Sequence, residues 1–171
     1  MKNLFLFILL ATALCNAQNK DVFDTARSGT VNEMKLLVQK NKDTINTISP
    51  AGYTPLILAC YRGNTPVAEY LAANVKDINY KSPDGTALAA AAIKGNTAMA
   101  KVLLQNKANP NSADASGLTP LVYAVQFENK ALIQLLLSYK ADTALADKQG
   151  KTPYDYAAET NNPEIINLLK K

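Results

Sequence analysis

The chain has 171 residues, 48% hydrophobic and 7% aromatic, with eighteen Lys and Arg against fourteen Asp and Glu for a formal charge of +4, and it contains no histidine. That length supports one domain of ordinary size. Two cysteines and no histidine remove the commonest general base and a closed zinc shell, and lysines scattered among acids do not form the concentrated basic stripe that nucleic-acid binding needs.

The N-terminal segment reads as a targeting signal. Lys2 is followed by the apolar run Leu4–Leu14 and then Cys15-Asn16-Ala17. The run is shorter than the roughly 20 residues a bilayer span requires, and a basic start, an apolar centre and small residues at the end describe a secretory signal peptide. Residues 1–17 are expected to be removed after Ala17, leaving 18–171 as a soluble, monomeric, periplasmic or secreted domain with no membrane insertion. A lipoprotein signal wants a small residue before the modified cysteine, and here Leu14 stands there. With Cys15 gone, Cys60 has no internal disulfide partner; it is read as a small buried hydrophobe.

The first unit, about 20–48, opens on Asp21-Val-Phe-Asp-Thr-Ala26-Arg-Ser-Gly29. From there a phrase recurs: Gly-Tyr-Thr-Pro-Leu at 52–56, Asp-Gly-Thr-Ala-Leu at 84–88, Gly-Leu-Thr-Pro-Leu at 117–121 and Gly-Lys-Thr-Pro-Tyr at 150–154. Thr54, Thr86, Thr119 and Thr152 stand 32, 33 and 33 residues apart, a period that marks a stacked repeat array. The units run about 49–81, 82–113, 114–146 and 147–171. In each, Asp or Gly makes a tight turn, Thr caps a short helix, and Pro takes its first position. A second turn at Gly63-Asn64, Gly95-Asn96, Glu128-Asn129 or Asn161-Asn162 starts a second helix, with Asn as its cap. That helix carries a leucine-rich stripe such as Leu135–Leu137. Asp84, Asp114 and Asp147 are read as turn-closing acids rather than as a catalytic pair.

These residues resemble the ankyrin repeat, whose unit of 33 residues is a β-turn and two antiparallel helices with the signature Thr-Pro-Leu-x-x-Ala. The resemblance covers nearly all of 18–171 and implies an all-α solenoid. The first and last units depart from the pattern and read as polar-faced caps, carrying Lys20, Asp21, Asp24, Lys40, Asn41 and Lys42 at one end and Glu164, Asn167, Lys170 and Lys171 at the other. The third unit has Ala87 in place of Pro and a turn one residue short. Where the family places Gly after the second helix, this chain has Val75, Lys107 and Lys140, each expected to strain a left-handed cap; Asn74 and Asn106 stand beside two of them.

The resemblance also implies a protein partner met on the concave side, by the turn tips and the positions late in each first helix. Those positions are Arg27-Ser28, Tyr61-Arg62, Ile93-Lys94, Gln126-Phe127 and Glu159-Thr160. The partner-binding set is Tyr53, Tyr61, Arg62, Lys81, Ile93, Lys94, Leu118, Gln126, Phe127, Lys148 and Lys151. Aromatic and Arg side chains on a rigid face are what binding hot spots favour, although Tyr61 and Phe127 equally suit packing against neighbouring turns. No cofactor, metal, nucleic acid or enzymatic activity is expected. The roles that fit are regulating or protecting an envelope protein, blocking a toxin or hydrolase as an immunity protein or inhibitor, and scaffolding an envelope assembly.

Overall fold

The computed structural model describes residues 20–170; the expected signal peptide, Cys15 and Lys171 lie outside them. The described residues form ten α-helices in five antiparallel pairs and no strands, with one isolated bridge between Ser82 and Gly85. In chain order these are α1 (Val22–Ser28), α2 (Val31–Lys40), α3 (Pro55–Arg62), α4 (Thr65–Ala72), α5 (Ala87–Ile93), α6 (Thr97–Gln105), α7 (Pro120–Gln126), α8 (Lys130–Ser138), α9 (Pro153–Glu159) and α10 (Pro163–Leu169), with a 3-10 turn at Lys42–Asn46 after α2. First helices pack on first helices and second helices on second helices, giving a two-row, all-α repeat solenoid. None of the described helices is long and apolar enough to cross a membrane.

The recurring threonine begins each first helix as its sequence position demands. Thr54, Thr86, Thr119 and Thr152 are extended, and each hydroxyl accepts from the backbone N–H three residues on. Such a cap contributes about 1 kcal/mol. Pro55, Pro120 and Pro153 stand first in their helices, where no N–H is needed. Ala87 takes that place in α5, and six of the seven α5 residues are buried. Alanine lets the first-helix row approach closely while Leu71, Leu103, Leu132 and Leu136 fill the second row. Cys60 is 1% exposed beside buried Ala59, and burial pushes its thiol up to about 12. It behaves as a core residue, with its thiolate suppressed.

Two asparagine ladders tie the pairs together. At the turn inside each pair, Asn96, Asn129 and Asn162 cap α6, α8 and α10 through their side-chain oxygens. Their amide groups reach back: Asn129 Nδ2 donates to the Gly95 carbonyl at 3.2 Å, and Asn162 Nδ2 to Glu128 Oε2 at 2.6 Å. Asn64 departs from the expected capping role. Its side chain makes no cap bond to α4 and instead donates to the carbonyls of Ala26 and Gly29. The second ladder runs between pairs. Asn46, Asn79 and Asn111 accept from the backbone N–H of Lys76, Asn109 and Asp142 at 2.7–2.9 Å.

Lys107 and Lys140 adopt φ of 69° and 63°, as expected at helix ends that lack glycine. Val75 does not; its N–H bonds the Leu71 carbonyl without entering the left-handed region. Asn74 and Asn106 support these ends by donating from Nδ2 to the Tyr70 and Val102 carbonyls. Lys140 is exposed and bears no side-chain bond among the described residues, so Lys140→Gly is expected to stabilise by up to about 1 kcal/mol. The urea midpoint should rise with an unchanged slope.

Candidate functional site

The turns between pairs project beside the first-helix row, and their backbone dictates what lies there. Ser49, Asp114 and Asp147 each open a turn closed from their own N–H to the carbonyls of Tyr53, Leu118 and Lys151. Asp114 Oδ1 also accepts from the N–H groups of Ser116 and Leu118, and Asp147 Oδ1 from those of Gln149 and Lys151. These two acids close turns as expected. Asp84 does not. The one-residue deletion moves that duty to Ser82, whose N–H and hydroxyl both bond the Gly85 carbonyl. Asp84 is thereby freed at the tip, and its Oδ2 accepts from the Tyr53 hydroxyl of the preceding turn.

A phenol on a carboxylate recurs further along. Tyr123 donates to Asp114 Oδ2 and Tyr156 to Asp147 Oδ2, each at 2.5 Å. The bond from Tyr156, with the two backbone donors, holds the Asp147 carboxyl below its usual range. Reciprocally, that bond and then burial push the Tyr156 phenol up to about 12. Tyr123 is raised too, first by burial and then by Asp114. A depressed carboxyl stabilises above its unfolded value of 3.8 and loses that stability as pH falls through the folded value. The phenol has the opposite sign: its contribution is complete below pH 10 and is lost toward 12. Tyr156→Phe should therefore melt below the parent at neutral pH, with the gap narrowing below pH 4 when thermal midpoints are compared.

Beside the turns of the first three pairs lies a recess of about 490 Å³, within the roughly 300–1,000 Å³ of ligand clefts. Ile57 and Leu58 of α3 and Ala90 and Ile93 of α5 give it an apolar lining. Tyr53 and Tyr61 stand in its walls, with Arg27 of α1 and Arg62 of α3. Of the expected contact residues, the structure gathers Tyr53, Tyr61, Arg62 and Ile93 here. Lys94 adjoins them, its Nζ 4.6 Å from the centre of the Tyr61 ring, a cation–π contact worth about 0.5–1 kcal/mol at the surface. Tyr61 stays 47% exposed.

The other expected residues do not line the recess. Phe127 ends α7 with 56% of its surface exposed, next to exposed Gln126. Leu118 is half-buried and closes its own turn. Lys81 and Lys148 are exposed at turn tips, and the Lys148 N–H bonds the Ser116 carbonyl of the preceding turn. Lys151 is engaged within the chain: it pairs with Glu159 at 2.5 Å, which raises its pKa, and lies 5.2 Å from the Tyr156 ring. Arg27 and Asp84 were not among the expected contacts, although Arg27 shares the late-first-helix position with Arg62.

The charges in the recess are unevenly committed. Arg27 pairs with Asp24 at 3.0 Å with both side chains well exposed, an ion pair of little energetic weight. Arg62 takes part in no ion pair among the described residues. A family model described as ankyrin repeats in three copies matches residues 22–114 and again residues 88–171. No curated protein matches the chain. With the repeat period, the paired helices and that match in agreement, the chain belongs to the ankyrin-repeat family, a family of protein-interaction modules.

Proposed function

We propose that this chain is an exported module that binds a protein of the cell envelope and regulates or protects it, acting by binding rather than catalysis. The observation that supports the reading is the convergence of Tyr53, Tyr61, Arg62 and Ile93, from two successive pairs, on one recess. Rigid aromatic and Arg side chains around apolar surface are the composition of a binding hot spot. The turn acids argue in the same direction, since Asp114 and Asp147 are saturated by turn amides and tyrosines. The Lys2 to Ala17 pattern supports export. Phe127 and the turn-tip residues Lys81, Leu118, Lys148 and Lys151, with Gln126, would extend the contact along later units.

The test is capture from envelope extract by the tagged full chain beside an Arg62→Ala/Phe127→Ala variant. The parent should retain one major protein, and the double variant should lose most of it. Equal recovery by both would remove the site assignment, and fractionation of the chain with the cytoplasm would remove the envelope role.

A further inference from the structure

We infer that the recess takes a projecting, extended segment of the partner in which an Asp or Glu sits one or two residues from an aliphatic or aromatic side chain. The inference rests on the proposed binding role and adds the chemistry of the occupant. It follows from which polar groups of the recess are already committed. Ser49 Oγ accepts from the Tyr53 N–H, Ser82 Oγ donates to the Gly85 carbonyl, Thr86 Oγ1 accepts from the Ala89 N–H, and the Tyr53 hydroxyl donates to Asp84. Asp84, the one carboxylate of the lining, is thus held by a neighbour. What remains for a ligand is the Arg62 guanidinium, which has no carboxylate partner, and Arg27, whose exposed pair with Asp24 is cheap to exchange. Lys94 on the Tyr61 ring adds positive charge at the rim.

A guanidinium binds a carboxylate through two parallel hydrogen bonds, which fixes orientation as well as attraction. Leu58, Ala90 and Ile93 offer apolar surface beside it, with Ile57 beneath. A flat protein surface does not fill a recess of about 490 Å³, whereas a few residues of extended chain do. One acidic contact at the Arg62 side and one apolar anchor against Ile93 satisfy both halves of the lining together.

Selection of a random twelve-residue peptide library on the full chain tests the inference. The enriched peptides should carry Asp or Glu next to an apolar residue. Arg62→Ala should weaken an enriched peptide about tenfold, as the loss of one charged hydrogen-bond partner does. Arg62→Glu should turn the selection toward Lys- and Arg-bearing peptides, a switch that a folding defect does not produce. Ile93→Asp should weaken the peptide while preserving the parent's circular dichroism. Enrichment of peptides without acids, indifference to Arg62→Glu, or no enrichment at all would overturn the inference. So would a recess occupied by octanoate, used as a small amphipathic carboxylate, more tightly than by any peptide. Capture of a partner that depends on Arg62 and Phe127, alongside a failed peptide selection, would leave the binding role standing and remove only the extended acidic occupant.

Discussion

Gly117→Ala is expected to destabilise the fold by about 4 kcal/mol, whereas Gly150→Ala, at the same position of the next unit, should cost about 1–2 kcal/mol. Both glycines are left-handed, with φ of 89° and 81°, and placing a side-chain-bearing residue there costs about 1–2 kcal/mol at either site. The difference lies in what a methyl group meets. At Gly117 it would stand 2.8 Å from Asp147 Cα and 2.9 Å from the Lys148 nitrogen; at Gly150 nothing lies within 4 Å. The obstructing atoms are backbone, so no side chain can swing aside, and the bond from the Lys148 N–H to the Ser116 carbonyl holds the two turns together at that point. Forcing them apart adds an overpacking cost of about 1–3 kcal/mol. In a repeat array stability is largely the sum of units and their interfaces. Gly117→Ala should therefore also lower the cooperativity of urea unfolding as α9 and α10 uncouple. Equal midpoints for the two variants would contradict the close turn-to-turn contact.

The second large effect is expected at Asn129. Its Oδ1 caps α8 by accepting from the Leu132 N–H at 3.0 Å, while Nδ2 donates to the Gly95 carbonyl at 3.2 Å and to Thr97 Oγ1 at 3.4 Å. One side chain thus ends a helix and joins two units. Asn129→Ala removes a cap worth about 1 kcal/mol and an interface bond worth about as much, leaving the partly buried Gly95 carbonyl unpaired. The expected loss is about 2–3 kcal/mol. Asn129→Asp retains the capping oxygen and loses the amide donor, so it should cost about half as much. A denaturant series on both variants separates the two roles; identical losses would show that the amide bonds carry no weight.

The repeat period made most of the fold legible. Thr-Pro at a fixed spacing specifies both the cap and the first helical residue, so four of the five first helices could be placed from local chemistry alone. The left-handed Lys107 and Lys140 followed from glycine missing at a known phase. Elsewhere the backbone course outweighed the letters. Aligning Asp84 with Asp114 and Asp147 assumed that a one-residue deletion falls outside the turn; it falls inside, Ser82 closes the turn, and Asp84 turns to Tyr53. Val75 shares the phase of Lys107 without its conformation.

The site was legible as a set of positions and not as a shape. Tyr61, Arg62 and Ile93 could be aligned by phase, but which variable positions share a recess depends on how neighbouring turns lean together. Lys151 shows the limit most clearly, because its partner Glu159 stands eight residues away across a helix and withdraws it from the surface role its position implied. Asn46, Asn79 and Asn111 escaped notice for a related reason: their bonds run 30–31 residues along the chain. Their recurrence at intervals of 32–33 residues was the available signal.

The central claim is that the first three pairs, through the recess at Tyr53, Tyr61, Arg62 and Ile93, form the recognition surface. Amide hydrogen exchange of the chain, alone and with its captured partner, tests it most directly. The account predicts slowed exchange on binding in residues 49–62 and 82–93, with α8 and α10 unchanged. Slowing confined to α4, α6 and α8, with 49–62 unaffected, would contradict it.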